Sequence, residues 1–231
     1  MTLFLFPKTK HTRHLQPRQF KRYQTYKRYL QVEFSRLCVY CRQPDSSAPN
    51  INMGVDHYRP KGIRRFASLV CEWTNLYYCC GACNSRKNNY WPVDESKDPF
   101  IVNPCDFVMA AHLRYDSKTG VIDAHNQSKH GEWTRDLLQL NDDVSVNYRK
   151  ATQKTVALFD KEINAALQEL SEIQSLLKDN KITKAQYDQD EAAIQAELVE
   201  LRAVRATHTG ELPLASLPTQ RRGVLLGTFP P

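Results

Sequence analysis

Apolar positions along this chain change their spacing several times, and each change marks a different kind of element. Between Gln19 and Phe34 the residues Phe20, Tyr23, Lys27, Leu30 and Phe34 recur three and four apart, which puts them on one face of an α-helix. The stripe is broken once, at Lys27, and Lys21, Arg22 and Arg28 fall largely off it. The segment therefore predicts a helix with one docking face and one basic face. At Gly54-Val55-Asp56-His57-Tyr58 the pattern is that of the end of a short strand, which Pro60, Lys61 and Gly62 break. A helix running to Lys87 comes next, stopped by N-N-Y-W-P. Asp98-Pro99 and Asn103-Pro104 make a rigid looping connection, because proline donates no amide and restricts the residue before it. Leu113 to Ala124 reads as a β-hairpin turning at Asp116 to Gly120, and Glu132 to Asn141 as a short helix that Asn141 stops.

From about Val144 the composition shifts to Ala, Leu, Gln, Glu and Lys. Val156, Phe159, Ile163, Leu167, Leu170, Ile173 and Leu177 predict a long amphipathic helix. Asp179-Asn180-Lys181 is a turn, and Thr183 with Gln186 a capping box opening a second helix that buries Tyr187, Ile194, Leu198 and Leu201. Two such helices fold back as an antiparallel hairpin. Its stripe serves first the hairpin or the rest of the fold, and the seven-residue spacing leaves some apolar edge for assembly. Pro and Gly exclude a continuing helix in the tail, where Val224 to Leu226 would dock on a neighbour or fray.

These elements predict an α+β chain in five parts. A basic N-terminal arm and helix spans 1–36, a cysteine-framed core 37–105, a hairpin-and-helix extension 106–143, the helical hairpin 144–208 and a tail 209–231. With 231 residues and 41% hydrophobic content, a modest core is within reach. No stretch is apolar enough to span a bilayer, and the opening M-T-L-F-L-F-P lacks the cationic start and cleavage-like end of a signal peptide. No membrane is expected, and the compartment is expected to be cytoplasmic. The net charge of +7 is unevenly placed, since residues 1–36 hold nine Lys or Arg against the single acid Glu33. A basic arm that meets phosphates accounts for the excess.

The chemistry lies between two C-x2-C pairs, Cys38/Cys41 and Cys80/Cys83. Each pair turns two thiolates toward one ion, and together they make a closed structural zinc site with no position open for catalysis. The alternative, buried core cysteines, explains one pair more readily than two. Spacing favours Cys80 over its neighbour Cys79, which is expected to pack, as are Cys71 and Cys105. Inside the frame, Asp56 and His57 are adjacent on a strand and so face opposite ways. A carboxylate suits a hard cation such as Mg²⁺, and a neutral imidazole takes a proton from water near pH 7. Asn84, on the helix beside Cys83, could bring an amide oxygen to the same ion. Singly, each residue has a plainer reading: an exposed Asp-His loop, Asn75 as a helix cap, Lys87 as a solvated charge. Their order and spacing favour a joint role. Arg59, Lys61, Arg64, Arg65, Arg86 and Lys87 surround the site in sequence and are expected to touch a nucleic-acid backbone, without reading bases.

The run C-x2-C, D-H-x-x-P, W-x-N-L-x3-C-x2-C-N-x2-K, from Cys38 through Trp73 and Asn75 to Lys87, resembles the HNH endonuclease family. The resemblance implies a ββα-metal core, His57 as general base, Asp56 and Asn84 as ligands of a catalytic Mg²⁺ or Mn²⁺, and Asn75 as the residue that fixes the loop orienting His57. It also implies a 5′-phosphate product. Two departures stand out. Asn84 occupies a position where many members have His, which argues for Mg²⁺ or Mn²⁺ over a tightly held transition metal, and the Gly pair often found after D-H-x-x-P is replaced by I-R-R-F in its neighbourhood. From Asn103 to Asn141, N-P, H-L-x-Y, a Gly turn and T-x-x-L-x-L-N resemble the PtuB-like nucleases of Septu and retron antiphage systems. That implies an effector nuclease working beside a PtuA-like ATPase subunit, with retron RNA or DNA as a further partner; this chain has no G-x4-G-K-[ST] loop of its own. Two other readings remain open: a non-cutting zinc module that binds nucleic acid or scaffolds a complex, and RNA, including tRNA, as substrate in place of DNA.

Overall fold

The computed structural model describes residues 3–46, 53–214 and 216–217. The Val224 to Leu226 run lies outside the described residues. The fold is mixed α+β, with two small antiparallel sheets and helices around them. Helix α1 (Lys27–Glu33) is preceded by a 3-10 turn at Tyr23–Tyr26, so the expected helix from Gln19 starts late. The reason is aromatic packing. Phe20 lies against Tyr26 and Tyr29, with ring centroids 5.0 and 5.6 Å away, and its amide donates to the Tyr26 hydroxyl. Those contacts require the chain to run back alongside α1 instead of continuing its axis.

Strands β1 (Met53–His57) and β2 (Leu76–Cys80) pair antiparallel, with Asp56 opposite Tyr77 and His57 opposite Leu76. Every residue of β2 is buried, which explains its unbroken apolar and cysteine run. Helix α2 (Gly81–Lys87) follows at once, with the Cys80 sulfur accepting from the Cys83 amide as its N-cap. A second hairpin joins β3 (Leu113–Tyr115) to β4 (Ile122–Ala124) through the expected turn, where Gly120 takes φ +75. Helix α3 (Lys129–Leu137) packs beside β4.

Helices α4 (Asp143–Lys178) and α5 (Lys184–Thr209) form an antiparallel hairpin, opened at α5 by the expected Thr183–Gln186 capping box. Arg205 pairs with Asp160 at 2.6 Å and His208 lies against Phe159, which fixes the direction. The hairpin has its own core of Ala166, Ile173, Tyr187, Ile194 and Leu198. Here the sequence expectation needs one correction: Ala166 occupies the seam and Leu167 is 40% exposed. The seam runs in strict alternating steps of four and three, and Leu167 lies one position outside it. Leu201 is half-buried.

Both helices grip the core at the base of the hairpin. Asp142, which caps α4 by accepting from the Ser145 amide, pairs with Arg86 at 2.8 Å. Arg149 is buried and donates to the carbonyls of Gly120 and Leu140. At the end of α5 Gly210 turns with φ +78, and a Cβ there would sit 3.0 Å from the Pro44 Cβ, a conformation and a close approach that favour glycine. Ser46 donates to the Thr207 carbonyl and Arg36 to that of Pro213. The segment around Cys38 to Cys41 is thus the base on which the hairpin stands.

Candidate functional site

Cys38, Cys41, Cys80 and Cys83 are buried with their sulfurs all within 4.8 Å of one another. Cys41 and Cys80 are 3.8 Å apart. Four sulfurs placed tetrahedrally about 2.3 Å from an ion would be about 3.8 Å apart, so the cluster has the dimensions of a zinc site. Crowding separates the thiols: neighbouring sulfurs push Cys41 and Cys83 well up, while Cys80, which they hydrogen-bond, is held well below the usual thiol range. Such a group ionises fully only around a cation. Arg42 and Arg149 supply positive charge nearby; burial works against both guanidinium charges and the cluster's sulfurs favour them. Alternation along β2 turns Cys79 away from the cluster, and burial raises its thiol. Cys71 and Cys105, expected to be buried, are only partly so.

The second feature is a cleft of about 270 Å³ lined by Asp56, His57, Asn84, Tyr23, Lys61 and Asn88 among others. It joins the end of β1, the loop after it, α2 and the turn before α1. The His57 Nε2 lies 3.0 Å from the Val70 carbonyl. A carbonyl only accepts, so Nε2 carries the proton in the neutral ring and Nδ1 is the basic nitrogen. Tyr23 packs edge-on against the imidazole at 4.5 Å. Burial lowers the His57 pKa, and the Lys61 and Lys87 charges add to that, outweighing the Val70 hydrogen bond and Asp56. The ring is therefore neutral at pH 7.

Asp56 is buried with both oxygens engaged: the Tyr40 hydroxyl donates to Oδ2 at 2.5 Å and the Lys87 ammonium to Oδ1 at 2.9 Å. Asn84, half-buried, has its side chain close to Gly54. Asn75 is 2% exposed. Its Oδ1 accepts from the Arg59 amide at 2.8 Å, and its Nδ2 donates to the carbonyls of Arg59 and Leu69 at 3.1 and 3.2 Å. It clamps the strand exit at Arg59 to the segment that carries Val70, the anchor of His57, and does not cap a helix.

The chain is similar to the Septu protein PtuB of Bacillus thuringiensis. The two are 31% identical over 106 residues, which cover 45% of this chain and 36% of that protein. The chain thus aligns with little more than a third of its curated relative. No family model matches, and no solved structure matches.

The basic residues expected on a substrate divide into three groups. Lys87 is a correction: it is 1% exposed and donates to Asp56 and to the His57 carbonyl at 2.7 Å, so it contacts no solvent-borne phosphate. Its place on the last turn of α2, packed over β1, turns its ammonium inward. Arg86 is a second correction, since it donates to the Leu138 and Gln139 carbonyls and pairs with Asp142; it is spent joining α2 to α4. Arg59, Lys61, Arg64 and Arg65 form the third group, on the loop after β1 and the 3-10 turn Arg64–Leu69 that follows it. Lys61 lines the cleft and donates to the Tyr23 hydroxyl at 2.9 Å, while Arg65 pairs with Glu95. Within the basic arm, Arg13 is also internal, stacked at 4.8 Å on Trp73 and on Tyr77 and donating to the Leu76 carbonyl. Lys8, Lys10, Arg18, Lys21, Arg22, Lys27 and Arg28 are exposed. Sequence reasoning missed Tyr23, Tyr40 and Val70. Only Tyr40 carried a signal, its position between two cysteines.

Proposed function

We propose that this chain is a metal-dependent endonuclease of the HNH type, with β1, β2 and α2 as a ββα-metal core and a four-cysteine zinc site as the clamp between strand and helix. The observation that carries the reading is the His57 ring, neutral and tautomerically fixed by Val70, in the same cleft as Asp56 and Asn84. His57 Nδ1 takes the proton from the attacking water as the water oxygen bonds to phosphorus and the bond to the 3′ oxygen breaks. Asp56 and Asn84 are hard oxygen donors, and each Asp56 oxygen keeps a lone pair beyond its hydrogen bond. They would hold Mg²⁺ or Mn²⁺, which supplies charge neutralisation at the scissile phosphate and the leaving oxygen. Asn75 fixes the loop that orients His57. Arg59, Lys61, Arg64 and Arg65, with the exposed cations of the arm, align the strand by its phosphates.

The likeness to Septu protein PtuB supports a place in antiphage defence, with the ATPase supplied by a PtuA-like partner. The test is cleavage of plasmid, single-stranded DNA and total RNA by wild type and His57→Ala, with Mg²⁺ or Mn²⁺ and with any copurifying ATPase. Cutting that the variant loses supports the nuclease, and the substrate that is cut decides between DNA and RNA. No cutting under any condition, with equal binding by both proteins, overturns it in favour of a non-cutting zinc module.

A further inference from the structure

Asp56 is held in the cleft by two side chains from different segments, one on each carboxylate oxygen. Tyr40 sits in the middle of C-V-Y-C, between two members of the sulfur cluster, and is 0% exposed. The Val39 amide donates to the Tyr78 carbonyl at 3.0 Å, tying the same turn to β2. The position of the Tyr40 hydroxyl is therefore set by the backbone of the cysteine turn, and a phenol ring is a rigid lever. The hydroxyl reaches Oδ2 at 2.5 Å. Lys87 reaches Oδ1 from α2, and its other bond goes to the His57 carbonyl. Its charge offsets that of the carboxylate inside the fold.

We infer that Tyr40 and Lys87 are positioning residues for divalent-metal binding at Asp56: Tyr40 aims the carboxylate from the cysteine turn, and Lys87 attenuates its attraction for the ion. The inference rests on the proposed function, in that Asp56 is taken as a metal ligand. The two residues act in opposite directions. Without the hydroxyl the carboxylate loses its fixed orientation, and outer-shell partners of this kind are worth roughly 10–100-fold in metal affinity. Without the ammonium, a cation at Asp56 no longer meets a like charge.

The test is direct Mn²⁺ binding to the full-length, zinc-loaded chain, read from the electron paramagnetic resonance signal of free Mn²⁺, for wild type, Asp56→Asn, Tyr40→Phe and Lys87→Gln. Zinc content and melting temperature are measured on each. Wild type is expected to bind one Mn²⁺ that Asp56→Asn loses. Tyr40→Phe is expected to weaken binding about tenfold or more with zinc retained, and Lys87→Gln to tighten it. Unchanged or tighter binding by Tyr40→Phe overturns the aiming role. Should that variant lose zinc, Lys87→Gln decides, and unchanged or weaker binding there overturns the inference. If wild type binds no Mn²⁺ that depends on Asp56, the ligand assignment itself fails and the inference falls with it.

Discussion

Replacing Asn75 by alanine removes three hydrogen bonds from a side chain that is 2% exposed. The bonds to the Arg59 amide and to the Arg59 and Leu69 carbonyls measure 2.8, 3.1 and 3.2 Å. A hydrogen bond contributes about 1 kcal/mol net, and a buried group left unpaired costs about 1–3 kcal/mol. Arg59 is exposed, so water recovers part of the loss on its side, while the Leu69 carbonyl faces the space left by the amide. The expected loss is about 2–4 kcal/mol, or a fall in melting temperature of roughly 4–16 °C for a chain of this size. Urea unfolding of the zinc-loaded protein measures it. Asn75→Asp is the sharper comparison: it keeps the acceptor for the Arg59 amide but turns oxygen toward two carbonyls, and it should lose at least as much. Loss below about 1 kcal/mol in both variants refutes the clamp. The loop it holds carries Val70, so under the proposed nuclease function cleavage should fall further than the folded fraction does under the same conditions. Activity that follows the folded fraction alone would show that Asn75 stabilises the fold without orienting His57.

Because burial lowers the folded-state pKa of His57 below its ordinary 6.5, the unfolded chain takes up that proton first; stability should fall as pH drops below 6.5, and His57→Gln should flatten that slope. An identical slope in the variant refutes this. In the helical hairpin, Ile173→Ala should cost about 2–4 kcal/mol, whereas Leu167→Ala, at an exposed position, should cost less than about 0.5 kcal/mol by the same unfolding assay. Equal losses would place Leu167 in the seam after all. Chelation of zinc should unfold the cysteine-framed core; loss of zinc with the full helical signal and melting temperature retained would refute that.

What could be read from the sequence was whatever local spacing determines. The C-x2-C pairs, the short strand through Gly54 to Tyr58, the turn at Asp116 to Gly120 and the Thr183 capping box each depend on residues only a few positions apart, and the structure has all of them, with the strand ending at His57. What could not be read depends on contacts between distant segments. Lys87 looks like a solvated charge until α2 packs on β1 and Asp56 receives it. Arg13 looks like part of a phosphate-binding arm until Trp73 and Tyr77 close around it. Leu167 fits a helical stripe as well as Ala166 does, and only the partner helix chooses between them. The expected helix from Gln19 starts late for a related reason, because periodicity cannot distinguish an aromatic residue that continues a helix from one that folds back against it.

The cluster's importance comes from how many segments meet at one turn. Through Val39 the Cys38–Cys41 segment bonds to β2, through Tyr40 it reaches Asp56, and through Leu37 and Pro44 it receives the end of α5 at Gly210. The hairpin beyond that point is different, since Ala166, Ile173, Tyr187, Ile194 and Leu198 form a core separate from the main one. An ion held by the four sulfurs therefore stabilises the cleft directly and the hairpin only at its base. Losing it should disorganise Asp56 and the cleft first, because the ion no longer joins the turn at Cys38 to the one at Cys80. The outer turns of α4 and α5 keep their apolar seam whether or not the core survives. Much of the helical signal in a chelated sample should then come from the hairpin, and the signal lost should come from the elements around the cleft.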